Sequence, residues 1–364
     1  MTHEAKTVAL QQTIIPDYRM GLFIGLKEHY GDHLQIYAGD YDFGGTPTST
    51  EKAWRHFEYV QNLYFLGSRF LWQKGMSKQL LGPDVVIYNA NIRILSNIVS
   101  LLLRKLTGRS SILWGHATGQ NRLASMIRGL YFRLCNGVVA YTESQGVALR
   151  LRYPWLKVWV ASNSCISSSD CIPVSASPAD VHSILYVGRL VTAKKVSLLL
   201  EAFIYAREKS LLPKSARLVF VGDGVERARL EQRGSEAGIS DVVDFEGHVS
   251  DVSRLRRYYS TALCSVSPGY VGLSATQSFS FGIPMLIGRD EFHSPEIEAC
   301  REGFNASFFA SNDHEALAIA LSSYHRDKEE WLEKRPSISE WTRAHYSFEV
   351  MRDTFIQAVD EVTV

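Results

Sequence analysis

The chain has 364 residues, more than one core usually fills, so two domains are expected. Its charge is nearly balanced, 39 basic against 38 acidic side chains, with 46% hydrophobic residues: the composition of a folded globular protein, carrying no motif of a nucleic-acid binder. The longest apolar run, near Ile98 to Leu103, is too short to cross a bilayer, and Met1 to Leu10 has no basic stretch leading into an apolar one, so a cytoplasmic protein is expected.

In chain order, Thr7 to Ile15 reads as a strand ending at Pro16, and Tyr18 to Tyr30 as a helix with Leu22, Phe23, Leu26 and Tyr30 on one face. Leu34 to Ala38 is a short strand. Asp40-Tyr41-Asp42, in a loop ending at Gly44-Gly45, reads as turn aspartates rather than a metal site. Glu51 to Lys74 is expected to be a long aromatic-rich helical region. Strand and helix then alternate: Val85 to Tyr88, Ile94 to Leu106, Ser111 to Trp114, Arg122 to Leu134, Val138 to Tyr141, a helix capped by Thr142, and Val158 to Ala161. This alternation implies a parallel sheet covered on both faces. Ten basic residues and one acid, Glu143, lie between Val85 and Ser169, which suits anionic lipid headgroups or a phosphorylated acceptor, or else a solubilising surface. Five scattered cysteines suit free thiols better than a disulfide framework or a zinc site.

Ser162 to Pro178 is serine-rich and aperiodic, and reads as a linker. The second half repeats the alternation, with strands expected at Ile184 to Val187, Leu218 to Val221, Val242 to Phe245, Ala262 to Val266, Met285 to Ile287 and Ser307 to Phe309. Helices are expected at Ala193 to Lys209, Glu226 to Ala237, Val252 to Tyr259, Gly272 to Phe281 and His314 to Ser323, with a tail from Ser337 to Val362 that is helical throughout. The expected domains are 1–170, 171–340, and a final helix, 341–364, packing back toward the first.

Ligands of open parallel sheets sit beyond the strands' carboxyl ends. Gly188, Gly222-Asp223-Gly224, Gly247, Gly269 and Gly272 all fall at such ends. Arg189 and Lys194 flank one strand–helix turn and can converge on a diphosphate, the guanidinium as a fork and the ammonium as a mobile charge. Taken alone, Lys194 and Lys195 fit a solvated helix start equally well.

Several of these motifs resemble, in order and spacing, those of retaining glycosyltransferases of GT-B fold, family 4. They are Gly188-Arg189-Leu190 with Lys194, Val221-Gly222-Asp223-Gly224 with Arg227 and Leu230-Glu231, and Phe245-Glu246-Gly247-His248-Val249. Gly272-Leu273 followed by Gly282-Ile283-Pro284, and then Ser294-Pro295-Glu296, continue the match across residues 184 to 325. Pro16-Asp17-Tyr18-Arg19, Trp114-Gly115-His116 and Tyr141-Thr142-Glu143-Ser144 resemble acceptor-domain motifs of bacterial members that build surface polysaccharides.

The resemblance implies an α/β fold of two Rossmann-like doubly wound domains facing a cleft. It implies transfer of a sugar from a nucleotide-diphosphate donor to a saccharide or polyprenyl-linked acceptor with retention; peripheral contact with an anionic membrane is expected separately, from the basic segment between Val85 and Ser169. Arg189 and Lys194 would bind the diphosphate, assisted by the Gly272-Leu273 amides, with Gly188 and Gly222 at the donor. Gly247, His248 and Val249 would hold the base, His116 would sit by the donor sugar, and Tyr18 and Arg19 would lie on the acceptor side. Front-face attack, with the leaving phosphate taking the acceptor's proton, needs no enzymic nucleophile, metal or cofactor. The family carries two glutamates seven residues apart in its central motif. Here Gly269 and Gln277 stand at those positions; Gln277 can still hydrogen-bond a ribose diol, whereas Gly269 offers no side chain. That departure leaves open a GT-B scaffold that has lost catalysis, or a nucleotide-sugar epimerase or phosphorylase. His116 also fits a structural, hydrogen-bonded histidine.

Overall fold

The structure is a computed structural model that describes residues 6–44, 48–51, 57–115 and 122–363. It divides into two compact units, Met1–Cys165 with Phe348–Val364, and Ile166–Ser347. The first unit holds β1 (Val8–Gln11), α1 (Met20–Tyr30), β2 (Leu34–Ala38), β3 (Glu58–Tyr59), β4 (Asn62–Phe65), β5 (Phe70–Gln73), α2 (Met76–Gln79), β6 (Val85–Asn89), α3 (Leu95–Leu106), β7 (Ser110–Trp114), α4 (Arg122–Phe132), β8 (Gly137–Ala140), α5 (Glu143–Arg152) and β9 (Lys157–Val160). The second holds β10 (Ser183–Val187), α6 (Val196–Glu208), β11 (Arg217–Val221), α7 (Arg227–Glu236), β12 (Val243–Phe245), α8 (Val252–Thr261), β13 (Ala262–Ser267), α9 (Ser274–Ser280), β14 (Met285–Gly288), β15 (Ala306–Phe309), α10 (His314–Arg326) and α11 (Lys328–His345). The last helix, α12 (Phe348–Val362), belongs to the first unit.

The first unit is a doubly wound parallel sheet in the order β3-β2-β1-β6-β7-β8-β9. Its strands are apolar along their length because both faces are covered. Alternate residues serve opposite layers. Leu10, Ile87, Ile112 and Trp114 meet α1 and α12, while Ala9, Val86, Leu113 and Val138 meet α3, α4 and α5. The helix α12 turns Met351, Phe355, Ala358 and Val359 toward the sheet, the spacing of a single helical stripe.

Two expectations are corrected. Of the region read as helix from Glu51 to Lys74, residues 57–74 are strands: β3 joins the sheet edge, and β4 and β5 form an antiparallel hairpin. Burial there has period two, with Leu71 and Gln73 inside and Phe70 and Trp72 half-exposed. The turn runs through Leu66, Gly67 and Ser68, all at positive φ (51°, 64° and 59°), a path closed to a helix. Gln73 anchors the hairpin, donating to the Gln12 carbonyl (2.9 Å) and Asn62 Oδ1 (2.8 Å) and accepting from Gln11. The tail is also not one helix. It breaks at Tyr346 and the fully buried Ser347, between α11 and α12. No glycine or proline marks this break, whereas Pro336 sits inside α11.

One residue of the basic segment is a core pin. Arg104 is fully buried on α3, and its guanidinium donates to the carbonyls of Leu80 (2.7 Å), Pro83 (2.9 Å), Asp84 (2.9 Å) and Ser110 (2.6 Å) and to Ser111 Oγ (3.1 Å). Arg104→Met would strand those carbonyls without donors. It is expected to lower stability by about 3 kcal/mol, read as a lower urea midpoint of the first unit at unchanged m.

The second unit is a six-stranded parallel sheet in the order β12-β11-β10-β13-β14-β15. Leu199, Phe203, Leu317 and Leu321 of α6 and α10 close one face over Ile184, Leu218 and Val266. On the other face α8 supplies Leu255 and Tyr259, and α9 packs Ala275 and Phe279 against Ile338 of α11. All five cysteines are free thiols.

Candidate active site

In the second unit the strand order reverses between β10 and β13, so the loops leaving these two strands open a crevice at the carboxyl edge of the sheet. Gly188, Gly222 and Gly247 leave three adjacent strands, β10, β11 and β12, and come together. At Gly222 (φ 150°) a Cβ would lie 1.8 Å from the Gly188 carbonyl oxygen, and Gly222 bridges Gly247 directly. At Gly222, therefore, main chain packs on main chain with no room for a side chain.

Gly269, at the exit of β13, plays a comparable part. A Cβ there would fall 2.7 Å from the Ala193 carbonyl oxygen and 2.8 Å from the Lys194 carbonyl carbon. The absent side chain is what allows the turn carrying Lys194 to close over the end of β13.

Lys194 is the centre of the site. Its ammonium donates to the Tyr270 carbonyl (2.8 Å), lies 3.5 Å from the centroid of the Tyr270 ring, and sits 3.7 Å from where a Cβ of Gly272 would be. Burial, and next the nearby positive charge of Arg189, lower its pKa from 10.5 to about 8, while Glu296 acts in the opposite direction. The next residue has a different job. Lys195 adopts a left-handed conformation (φ 53°) and its ammonium is held by Glu291 (2.5 Å) and Asn312 (2.7 Å). Of the two neighbouring lysines, one faces the crevice and the other fastens its wall.

Arg189 is exposed, and its positive charge is near enough to depress the Lys194 pKa. Leu273 caps the start of α9, whose half-exposed Gln277 lies one turn further on. At the β12 end, His248 is exposed and Val249 is buried in the core beneath. Phe245 stacks on Phe220, ring centroids 5.1 Å apart, which fixes that loop. Two residues here, Tyr270 and His293, fall outside the motifs, while Glu296 closes the last of them. Tyr270 shields the Lys194 ammonium, His293 Nδ1 accepts from the Val271 amide (3.1 Å) and so holds the approach to Gly272, and buried Glu296 supplies a counter-charge to Lys194. The only visible signal for Tyr270 was an aromatic residue directly after a strand-end glycine; His293 and Glu296 come from a loop more than twenty residues away.

In the first unit, His116 lies outside the described residues. Its neighbours Trp114 and Gly115 are at the carboxyl end of β7. Arg19 is seated there, 4.8 Å from the Trp114 ring and donating to the Tyr141 hydroxyl (2.9 Å), and Tyr18 beside it is exposed. Asp40 accepts from the Tyr41 amide (3.1 Å), as in a turn, and no group of three metal-ligating side chains occurs among the described residues.

Residues 171–344 match the family model described as glycosyl transferases group 1. The matched stretch lies within the second unit, Ile166–Ser347. A GDP-mannose-dependent α-(1-6)-phosphatidylinositol dimannoside mannosyltransferase of Mycobacterium tuberculosis is 28% identical to the chain over 168 residues, covering 44% of the chain. The match spans about two fifths (41%) of that relative's length. Among solved structures, Anabaena HepE in complex with UDP superposes with a TM-score of 0.72 at 14% identity, over 98% of this chain and all of that one. A glycosyltransferase from Rickettsia africae gives 0.71 at 14% identity, over 99% of both chains. At these identities the likeness is one of fold: α/β, with two Rossmann-like units as in GT-B glycosyltransferases.

Proposed function

We propose that the chain moves a sugar from a nucleotide-diphosphate donor to a saccharide or polyprenyl-linked acceptor with retention of configuration, in the synthesis of bacterial surface polysaccharide. The observation that carries this reading is the half-buried Lys194 ammonium, beside Arg189 and the Gly272 main chain at the switch point of the sheet. Breaking the bond between the anomeric carbon and phosphate leaves charge on the diphosphate, and two converging cations stabilise it as it develops. An acceptor oxygen attacks from the same face, forms the new glycosidic bond, and passes its proton to the departing phosphate oxygen. His116 is assigned to the donor sugar, Gln277 to the ribose, Gly247 to Val249 to the base, and Tyr18 and Arg19 to the acceptor. The matching mannosyltransferase and the UDP-bound structure are in keeping with such a donor.

A panel of UDP- and GDP-sugars tests the reading. The expected result is binding and slow donor hydrolysis, or transfer when an acceptor is present, unchanged by EDTA. A folded protein that binds none of the panel overturns it. A second reading, a scaffold that holds a nucleotide sugar without turning it over, draws on Gly269, where main chain occupies the place of a side chain. Bound donor that survives prolonged incubation with acceptor extracts, together with a biological role untouched by Arg189→Ala, would decide for the scaffold.

Affinity should also depend on pH in a defined sense. The diphosphate-binding form of Lys194 is the protonated one, and in the free protein it is lost as pH rises through about 8. Between pH 8 and pH 9.5 donor affinity is expected to fall by roughly tenfold per unit, the limit for one proton. Titration calorimetry across that range should show proton uptake on binding, and Lys194→Arg should flatten the profile.

A further inference from the structure

The helices α3, α4 and α5 cover one face of the first unit's sheet, since Leu101, Phe132 and Leu149 all enter the same core layer. Their outer surfaces are unusually bare. Among the described residues, ten large apolar side chains between Val99 and Trp155 are exposed, against four in the whole second unit. Met126 and Leu130 on α4 are each 61% exposed, Leu151 at the end of α5 is 77% exposed, and Trp155 in the turn that follows is 49% exposed. Met126, Leu130 and Trp155, with Arg133 and Arg152, border a shallow cavity of about 550 Å³.

The charge on this face has one sign. Lys105, Arg133 and Arg152 are exposed and form no ion pair among the described residues. The segment's single acid, Glu143, is already neutralised by Arg150 at 3.0 Å. Topology gathers these cations. All three helices cross between neighbouring parallel strands in the same sense, so their carboxyl ends lie along one edge of the unit, away from the carboxyl ends of the strands. Lys105, Arg133 and Arg152 stand at those three helix ends. Favourable interaction with the helix dipoles would explain cations there, but not the bare Leu106, Leu130 and Leu151 among them. A surface facing only water would mix acids with its bases and cover its leucines. Apolar side chains and a tryptophan interleaved with cations that form no ion pair are the chemistry of a surface that lies in the boundary of an anionic bilayer.

We propose that the outer face of α4 and α5, flanked by the end of α3, docks on an anionic lipid surface. Met126, Leu130, Leu151 and Trp155 enter the boundary between headgroups and acyl chains, and Lys105, Arg133 and Arg152 pair with lipid phosphates. The docking does not rest on the transfer reading, and the two can fail separately.

Co-sedimentation with vesicles tests it, comparing pure phosphatidylcholine with vesicles containing about one third phosphatidylglycerol. The expected result is binding to the anionic vesicles at low salt and little binding to the neutral ones. Arg133→Gln with Arg152→Gln is expected to weaken partition by roughly fivefold per cation removed. Met126→Glu with Leu130→Glu is expected to weaken it more than tenfold, and to abolish the part that survives high salt. All four positions are exposed, so circular dichroism and the urea midpoint should stay at wild-type values. Three outcomes overturn the proposal: no partition of the folded wild type into anionic vesicles, partition unaltered in both double variants, or a dimer that Met126→Glu with Leu130→Glu converts to monomer, which would assign the face to a second copy. Donor binding measured without vesicles keeps this result apart from the fate of the glycosyltransferase reading.

Discussion

Lys194→Ala is expected to lower donor turnover by a hundredfold or more while leaving the protein folded. The size follows from what is removed: a charged donor aimed at the place where negative charge grows, in a partly water-excluded site, a loss usually of about 3 kcal/mol in the barrier. Arg189 remains in the variant, but it is exposed and screened, and cannot substitute for a half-buried ammonium. Stability should move the other way. The folded state depresses the Lys194 pKa from 10.5 to about 8, so below pH 8 it carries the whole cost of a charge held against burial and Arg189. That cost diminishes as pH rises from 8 toward 10.5, because the unfolded chain binds the proton more tightly in this window. At pH 7 the alanine variant is therefore expected to melt at or above the wild-type temperature. Loss of turnover accompanied by a clear fall in melting temperature would mean that Lys194 is a structural residue.

Gly269→Glu, the change that would restore the glutamate of the resembled motif, is expected to damage both the fold and the site. The side chain would begin 2.7 Å from the Ala193 carbonyl oxygen and 2.8 Å from the Lys194 carbonyl carbon. These are main-chain atoms of the turn that delivers the ammonium, so the clash cannot be relieved by rotating a side chain. Overpacking of this kind costs about 3 kcal/mol, and relief by moving the turn would carry Lys194 away from Tyr270 and Gly272. Gly269→Ala is the sharper control, since it adds the Cβ alone. Urea unfolding and donor titration of both variants check the argument; a glutamate variant of wild-type stability with improved turnover would refute it.

The two Rossmann-like halves were legible because strands buried on both faces show as short apolar runs, as at Val85 to Tyr88 and Ile184 to Val187. The hairpin at Asn62–Phe65 and Phe70–Gln73 was not, because its aromatic residues suit either period and its anchor, Gln73, finds partners in Gln11 and Gln12, about sixty residues earlier. The break at Tyr346 was hidden for lack of a breaker residue. In the candidate site, sequence could name Lys194 and Lys195 together but could not separate them. The partners that assign Lys195 to structure, Glu291 and Asn312, lie about a hundred residues away. The same limit applies to charge counting. Arg104 adds to the basic segment on paper yet contributes nothing to its surface.

The return of α12 to the first unit sets an order on synthesis. Phe355 and Val359 seal a sheet whose strands were translated about two hundred or more residues earlier. The second unit, by contrast, is one uninterrupted stretch and can close as soon as it leaves the ribosome. The half that begins first must finish last, holding an open apolar face through most of translation, and that interval is when a chaperone would be needed.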